Sequence, residues 1–192
     1  MAHILLLNSG GLDSLYCAQE LSAAGHTLHS VFVSLGNTAD ADALASAIRI
    51  SNQYCATHRT LQIKGLVPRQ YTNATFVGIP YQTMILFTIA ASLATSTGLR
   101  FVASGVKWGV MGYTPQKVQE LLSQSFLTTW DVTFLIPAGT LTPMEVWMAV
   151  KDNPLAPLVQ SCNLSPSCFE VNPNDRSLWC PKCRFRDIYG ID

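Results

Sequence analysis

Apolar residues recur along the chain with two alternating periods, one typical of strands and the other of helices. The predicted strands are His3–Leu7, Leu28–Leu35, Leu61–Ile63, Arg100–Ala103 and Val132–Ile136. The predicted helices are Leu12 to about Ala24, Asp40–Tyr54, Gln82–Thr97, one that begins at Thr114-Pro115 and one that begins at Thr142-Pro143. Such alternation favours a parallel sheet covered by helices on both faces. We therefore expect an α/β fold with a doubly wound, mostly parallel five-stranded sheet.

The periodic pattern ends near Asn153, where Pro, Cys, Ser and Asn become frequent. We expect residues 1–152 to form the main domain and residues 153–192 to form a small, loop-rich appendage. Hydrophobic residues make up 48% of the 192 residues and charged residues only 12%. Because so few charges leave little polar material for the surface, the composition favours a buried subunit interface, and we expect a homodimer.

Charge and hydropathy argue against two classes of partner. The formal net charge is zero and no basic run is present, so we expect no nucleic-acid partner. The longest apolar stretch, Met84–Leu93, is interrupted by Thr88 and Ser92 and is too short to span a bilayer. The chain begins directly with a strand and shows no hydrophobic signal core. We therefore expect a cytoplasmic protein without membrane contact, whose cysteines are thiols or metal ligands.

A glycine-rich loop directly follows the first predicted strand. Its residues are Ser9, Gly10, Gly11, Leu12, Asp13 and Ser14. Adjacent glycines allow a tight turn that directs several backbone N–H groups to one point, and the next helix adds the positive end of its dipole. The serines supply hydroxyl donors, and the Asp13 carboxylate is suited to hold Mg²⁺ beside phosphates. The spacing matches neither the Walker pattern nor the dinucleotide fingerprint, and we interpret the loop as a phosphate-binding site; the alternative is an ordinary tight turn.

Four of the six cysteines lie near the end of the sequence, at Cys162, Cys168, Cys180 and Cys183. The last two form a CxxC knuckle, whose tight turn lets two thiolates face one cation. All four together favour a tetrahedral Zn²⁺ site, which would supply folding free energy to a segment with little core of its own. The alternative is a redox CxxC, which normally begins a helix in a thioredoxin-like unit, and no such unit precedes it here. Cys17 and Cys55 lie within or beside predicted helices, and we expect both to be core residues.

The SGGLDS loop resembles the SGGxDS loop of the N-type ATP pyrophosphatases, the PP-loop superfamily. Together with the cysteine cluster, it makes the chain similar to one family in particular, the 7-cyano-7-deazaguanine synthases of the queuosine pathway. Three further segments resemble motifs of that family, namely Gly78–Thr83, Ala103–Val106 and Gly112-Tyr113. The resemblance implies an adenine nucleotide alpha hydrolase-like fold that uses ATP, Mg²⁺ and Zn²⁺. It also implies a ligase that adenylates the carboxylate of 7-carboxy-7-deazaguanine, releases pyrophosphate, and forms first an amide and then a nitrile with ammonia.

The resemblance further implies roles for individual residues. Asp13 and Ser14 are the expected catalytic residues, together with Lys107 just beyond the fourth strand; the alternative for Lys107 is a solvated loop lysine. Besides the SGGLDS loop, Gly36 and Gly105 are expected to contact the nucleotide. The expected contacts to a small, carboxylated deazapurine-like substrate are Gln82, Tyr113 and Lys117.

Several positions depart from the motifs of the family. Leu12 replaces a glutamine of the loop, and we expect its side chain to turn into the helix packing. Gly36-Asn37 stands where the family has a glutamine, an arginine and a histidine, and Tyr81-Gln82 replaces an arginine–asparagine pair. Thr114–Lys117 lacks the aspartate of the substrate segment, and Thr142–Glu145 lacks a lysine expected near the phosphates.

These losses leave three functions open. In order of preference, they are a synthase-like ligase, a ligase that joins the activated carboxylate to another amine, such as one on an acceptor protein, and a non-catalytic module that binds a nucleotide or a deazapurine. Enzymes that transfer sulfur to tRNA share the phosphate loop. They usually need reactive cysteines and an RNA-binding domain, for which a neutral chain of this length has no room.

Overall fold

The computed structural model describes residues 1–36, 40–65, 69–70, 77–78, 82–106, 120, 124, 131–159 and 174. Its strands are β1 (His3–Leu7), β2 (Thr27–Ser34), β3 (Cys55–Gln62), β4 (Arg69–Gln70), β5 (Val77–Gly78), β6 (Phe101–Ser104) and β7 (Thr133–Leu135). Its helices are α1 (Leu12–Ala23), α2 (Asp40–Tyr54), α3 (Gln82–Ser96) and α4 (Pro143–Val150), and a 3-10 turn covers Ala156–Leu158. Five strands form one parallel sheet in the order β3-β2-β1-β6-β7, while β4 and β5 form a separate antiparallel pair. The expected α/β fold with a five-stranded parallel sheet is confirmed.

β1 is the central strand because its side chains are apolar on both faces. Ile4 and Leu6 pack in the core formed with α1, α2 and α4, whereas Leu5 and Leu7 pack with α3 on the opposite face. All four side chains are buried. A strand without a polar face is stable only in the interior of a sheet, which explains why β2 and β6 pair with its two edges.

Helices cover both faces of the sheet, as expected. On one face, the Phe87 ring of α3 meets the Phe134 ring of β7 edge to face, with the ring centroids 4.9 Å apart. On the other face, α1, α2 and α4 contribute Leu15, Ile50 and Val146 to a single apolar cluster. The sheet is therefore doubly wound: the helices that connect its strands bury their apolar sides against one face or the other of the same sheet.

The third strand is longer than the sequence pattern predicts. A strand is expected over Leu61–Ile63, but β3 spans eight residues and begins at Cys55. β3 lies at the edge of the sheet, and most of its side chains are exposed, so its first part has no apolar period. The expected start of this strand is therefore wrong, because backbone pairing with β2 defines it and side-chain burial does not. The pair of β4 and β5 was likewise not predicted.

Helix boundaries follow the predicted ones closely. α2 has the predicted ends, and α1 and α3 each end one residue earlier than expected. α4 begins with a capping box: the Glu145 N–H donates to Thr142 Oγ1 over 3.2 Å, and the Thr142 N–H donates to the Glu145 carboxylate over 2.7 Å. This pattern satisfies backbone donors at the helix start that have no partner within the helix. The helix predicted from Thr114-Pro115 lies outside the described residues.

Of the expected C-terminal appendage, the structure describes residues 153–159 and 174. Ala156 and Val159 are buried against the core formed by α1, α2 and α4. The division of the chain after residue 152 and the expected homodimer stay predictions. Within the described part of the chain, no helix combines the length and the apolarity that crossing a membrane requires.

Candidate phosphate-binding site

The SGGLDS loop lies at the carboxyl end of β1, where the strand order of the sheet reverses. From β1 the chain continues to β2 and β3 on one side, and it later returns to β6 on the other side of β1. Leu7 pairs with Val31 of β2 and with Ser104 of β6, so the segments after these strands leave the same edge of the sheet. Parallel sheets bind ligands at such switch points. The topology therefore brings the SGGLDS loop, Gly36 and Gly105 to one edge, as predicted nucleotide contacts require.

Gly10 is the residue at which the loop contacts α2. Its φ of +74° is in the left-handed region. A Cβ on Gly10 would lie 2.2 Å from the Ala43 carbonyl oxygen and 3.0 Å from the Ala47 nitrogen. Both the φ angle and the close contact disfavour every residue with a side chain at this position. The loop is thus seated directly on the backbone of α2.

The two serines of the loop are hydrogen-bonded to each other. The Ser9 N–H donates to Ser14 Oγ over 3.0 Å, and the two hydroxyl oxygens lie 3.0 Å apart. Ser14 is buried and Ser9 is exposed. The Ser14 hydroxyl therefore closes the loop from the inside, and the Ser9 hydroxyl is the more accessible of the two. Leu12 packs against the core on the α1 side, which confirms the expectation that its side chain turns into the helix packing.

Asp13 and Gly105 bring α1 and the loop after β6 into direct contact. A Cβ on Gly105 would lie 2.6 Å from the Asp13 carbonyl carbon and 2.8 Å from the Asp13 Cβ. Gly105 is buried, and Asp13 is half-buried in the first turn of α1. A carboxylate there lies beside the positive end of the helix dipole. The arrangement fits a hard cation held by the Asp13 carboxylate next to an anion bound by the loop.

Asn8 supports the loop through a buried polar network that the sequence analysis missed. Its Oδ1 accepts the Gly10 N–H over 3.0 Å, and its Nδ2 donates to the Ala47 carbonyl oxygen of α2 over 2.9 Å. Nδ2 also lies 3.2 Å from the hydroxyl oxygens of Ser30 and Ser51. Asn8 is only 2% exposed, and buried amides are found where their polar atoms have partners. The available signal was an amide side chain placed directly after a buried apolar strand.

His58 of β3 extends this network towards the edge of the sheet. Its Nδ1 lies 3.0 Å from both Ser30 Oγ and Ser51 Oγ, and its Nε2 lies 3.3 Å from Thr60 Oγ1. Burial lowers the pKa of His58 from its usual value, because the imidazolium form loses solvation. The neutral ring is therefore the form that bonds to the two serines at neutral pH.

The turn after β2 is attached to the same helix by a carboxylate. Asp40, the first residue of α2, accepts the Gly36 N–H over 3.0 Å and the Ser34 hydroxyl over 2.6 Å at the same oxygen. Gly36 has a φ of +84° and is exposed, and a Cβ on it would meet nothing within 4 Å beyond its chain neighbours. α2 thus holds the Gly36 turn at its first residue and the SGGLDS loop further along.

The remaining expected site residues fall into two groups. Gln82 is half-buried and begins α3. Outside the described residues lie Lys107, Tyr113, Lys117 and the expected zinc ligands Cys162, Cys168, Cys180 and Cys183. Among the side chains that the structure describes, no three His, Cys, Asp or Glu residues are grouped so that they could hold a metal ion. The Zn²⁺ site stays a prediction.

Cys17 and Cys55 are core residues, as expected. Cys17 is fully buried in the cluster formed by α1, α2 and α4, and the partly buried Cys55 packs against that cluster. Burial raises the pKa of the Cys55 thiol to about 11. This thiol is protonated at neutral pH and therefore has no thiolate to act as a nucleophile.

No protein-family model and no curated protein sequence matches the chain, but solved structures do. A predicted subunit of tRNA methyltransferase from Methanocaldococcus jannaschii DSM matches with a TM-score of 0.55 and 15% identity, over 79% of this chain and 75% of the other. The U34-tRNA thiolase NcsA from Methanococcus maripaludis, with its 4Fe-4S cluster, has a TM-score of 0.59 and 16% identity, over 99% of this chain and 70% of the other. A 4-thiouridine synthetase in complex with RNA and bound ATP has a TM-score of 0.57 and 17% identity, over 98% of this chain and 50% of the other.

These likenesses define the fold class of the chain. It shares the α/β fold of these structures, with its SGGLDS loop at the carboxyl end of β1. With identities of 15% to 17%, the likeness shows the fold and leaves the reaction to be argued from the site.

Proposed function

We propose that the chain is an ATP-dependent enzyme that binds the phosphates of ATP in its SGGLDS loop, transfers the adenylyl group to a substrate oxygen and releases pyrophosphate. One observation carries the proposal: the loop is a turn that requires glycine, seated on α2 at Gly10, at the switch point of a parallel sheet. Its backbone N–H groups and the start of α1 form a cradle suited to an anion. An ordinary connection between a strand and a helix has no need of such close contacts at both Gly10 and Gly105.

Each residue of the loop has a part in this proposal. The Ser9 hydroxyl donates to phosphate oxygens, together with loop N–H groups other than those of Ser9, Gly10 and Ser14, which donate within the protein. The buried Ser14 hydroxyl keeps the loop closed. Asp13 holds Mg²⁺, which neutralises charge on the leaving pyrophosphate. Gly105 leaves space for the first turn of α1 and so keeps Asp13 at the edge of the sheet. The work of the protein is to position charges, since adenylation needs no covalent intermediate on the enzyme.

The resemblance to 7-cyano-7-deazaguanine synthases supports a finer proposal, a C–N ligase. An oxygen of the substrate carboxylate attacks the α-phosphorus of ATP, and the bond to pyrophosphate breaks. Ammonia then displaces AMP from the acyl carbon and loses a proton, which gives the amide. In a second round the amide oxygen is adenylated and departs with AMP while the nitrogen loses both protons, which gives the nitrile. The four C-terminal cysteines, as Zn²⁺ ligands, support the same family.

The changed substrate motifs support a variant of this proposal with a different acceptor. Tyr81-Gln82 and Thr114–Lys117 stand where the family has charged recognition residues, so an acid activated in the same way would be passed to another amine, including one on a protein. A chain that binds nucleotide without turnover is the third possibility, and the missing lysine in Thr142–Glu145 favours it.

A second candidate function is favoured by the similar structures. Two of them are a U34-tRNA thiolase and a 4-thiouridine synthetase bound to RNA and ATP. In this candidate the adenylated oxygen belongs to a base of tRNA. The formal net charge of zero argues against it, because RNA affinity depends strongly on neutralising phosphates with Lys and Arg.

Pyrophosphate release separates these functions. The chain is incubated with ATP and Mg²⁺ and one of three substrates: 7-carboxy-7-deazaguanine, the same acid with ammonium, or unmodified tRNA with sulfide. Release with the acid and a nitrile product with ammonium are expected. Release from the acid without an amide or nitrile product indicates that another amine is the acceptor. Release only in the incubation with tRNA and sulfide supports the second candidate. No release with any of them contradicts every enzymatic function proposed here.

A pair of matched variants tests the role of Asp13. Asp13→Asn is expected to lower the rate of release about a hundredfold, the scale for removing one group that stabilises developing charge. Asp131→Asn is the control. Asp131 is an exposed residue just before β7, so it lies at the amino ends of the parallel strands, away from the loop, and it pairs with Arg100 over 2.8 Å. Asn tolerates the φ of +48° found at Asp131, so this variant should keep the full rate. Equal rates in both variants would contradict the role of Asp13.

Metal analysis tests the Zn²⁺ proposal independently of activity. About one zinc per chain is expected, and Cys180→Ser should lower that content. A chain that contains no zinc after purification and does not bind added Zn²⁺ contradicts the four-cysteine site.

A further inference from the structure

Asn8 is the hydrogen-bonded link between the SGGLDS loop and α2. Both ends of its carboxamide are used, since Oδ1 accepts the Gly10 N–H and Nδ2 donates to the Ala47 carbonyl oxygen. Gly10 itself approaches the backbone at Ala43 and Ala47, which lie one helical turn apart. The amide therefore fixes the part of the loop that has the least room to move.

α2 holds a second turn at the same edge of the sheet. Asp40 accepts hydrogen bonds from Gly36 and Ser34, and seven residues later Ala47 accepts the bond from Asn8. These two attachment points lie about 10 Å apart along the helix axis at the usual rise per residue. A single rigid helix thus sets the distance between the phosphate loop and the Gly36 turn.

We propose that Asn8 is a positioning residue that fixes the SGGLDS loop to α2 in its nucleotide-binding shape. The inference rests on the proposed function, because it assumes that the ligand of the loop is MgATP. It extends that function by assigning part of the ATP affinity to a side chain that is buried beneath the loop.

The surroundings of Asn8 explain why an amide is needed there. Its Nδ2 carries two hydrogens, and three acceptors surround it: Ala47 O, Ser30 Oγ and Ser51 Oγ. An aspartate would have nearly the same shape, but it would place a carboxylate oxygen against the Ala47 carbonyl oxygen. An alanine would leave the buried Gly10 N–H without its acceptor. Neither substitution preserves both bonds.

The test compares Asn8→Ala and Asn8→Asp with Val150→Ala. Val150 lies on α4 and is fully buried in the core formed by α1, α2 and α4. It has no part in the loop, so its variant loses stability without altering the site. For each protein the dissociation constant of MgATP is measured by calorimetry and the unfolding midpoint is measured separately. The exchange rate of the Gly10 amide hydrogen is followed by NMR, at a temperature well below all midpoints. Asn8→Asp keeps the side-chain volume and serves if Asn8→Ala does not fold.

Both Asn8 variants are expected to raise the MgATP dissociation constant about tenfold, the scale for one buried hydrogen-bonding group that loses its partner: the Gly10 N–H in Asn8→Ala and the Ala47 carbonyl oxygen in Asn8→Asp. Exchange of the Gly10 amide should also accelerate in Asn8→Ala. Val150→Ala should change neither. An Asn8 variant with the dissociation constant of the wild type, or Val150→Ala with the same loss of affinity, overturns the inference. A wild-type chain without affinity for MgATP contradicts the proposed function and the ligand named here. In that case, Gly10 exchange that is unchanged in Asn8→Ala overturns the attachment of the loop as well.

Discussion

Gly10 and Gly36 are two glycines with similar backbone angles in very different surroundings. Both have positive φ values, +74° and +84°, and both follow a strand of the parallel sheet. Gly10 is buried against the Ala43 carbonyl oxygen of α2, whereas Gly36 is exposed with space around it. The turn at Gly10 is therefore fixed by backbone angle and packing together, and the turn at Gly36 by backbone angle and one carboxylate. A phosphate cradle needs N–H groups held in place before the ligand arrives, and only the first turn has that rigidity.

The largest expected effect comes from Gly10→Ala. The left-handed angle and the contact with α2 each add a cost, and together we expect a loss of about 3 kcal/mol in the free energy of unfolding. Urea denaturation of the variant and the wild type measures this loss. MgATP binding should be lost at the same time. A loss no larger than that of Gly36→Ala would remove the difference between the two turns.

Gly105→Ala separates close contact from backbone angle. Its Cβ would lie 2.6 Å from the Asp13 carbonyl carbon, and Gly105 is not among the described glycines with a positive φ. We expect this overpacking to cost about 2 kcal/mol, measured in the same way. Because the first turn of α1 must shift, affinity for MgATP should fall as well. A stable variant with unchanged affinity would show that the contact does not position Asp13.

Gly36→Ala measures the cost of the backbone angle alone. No atom beyond the chain neighbours opposes the new Cβ, so a loss of about 1 kcal/mol is expected. Gly36→Asn should lose less, because asparagine accepts the left-handed region more readily than alanine does. Equal urea midpoints for alanine and asparagine at this position would contradict the explanation.

The smallest effect concerns the polar network beneath the loop and its dependence on pH. A histidine whose pKa is lowered by folding adds stability above its unfolded pKa of about 6.5, and that stability is lost as the pH falls towards the folded pKa. Burial lowers the pKa of His58 in this way; burial also lowers that of His29, with added contributions from His3 and Arg59. The free energy of unfolding should therefore decrease from neutral to acidic pH.

His58→Gln tests this explanation. The variant should show a shallower decrease in stability over the same pH range, because only the contribution of His29 is left of the two. Urea denaturation at a series of pH values gives both slopes. Identical slopes for variant and wild type would mean that His58 has no part in the pH dependence.

The central part of the fold was accessible from the sequence, and the edge was not. β1 is a run of apolar residues buried on both faces, so its ends could be predicted to the residue. Residues 55–60 of β3 are mostly polar and mostly exposed, and they form a strand because they pair with β2. Local periodicity reports burial and not pairing, which is why Cys55–Thr60 could not be predicted as a strand.

The candidate site shows the same division. The SGGLDS loop was recognisable because its residues are contiguous and their chemistry is local. Asn8 was not, because its partners Ser30, Ala47 and Ser51 are brought to it by the crossing of β2 and α2 over the sheet. A single asparagine after a strand is consistent with many surface turns, and only the fold shows that this one is buried.

The dependence of Gly10 on α2 also determines when the site can form during synthesis. The SGGLDS segment is made before Ala43 and Ala47, and before the strand β6 that leads to Gly105. Since a chain is synthesised from its N-terminus, the nascent loop has no support until these later segments have emerged and docked. The SGGLDS loop is therefore made before the segments that fix its structure, and the proposed ATP site forms only after those segments have docked.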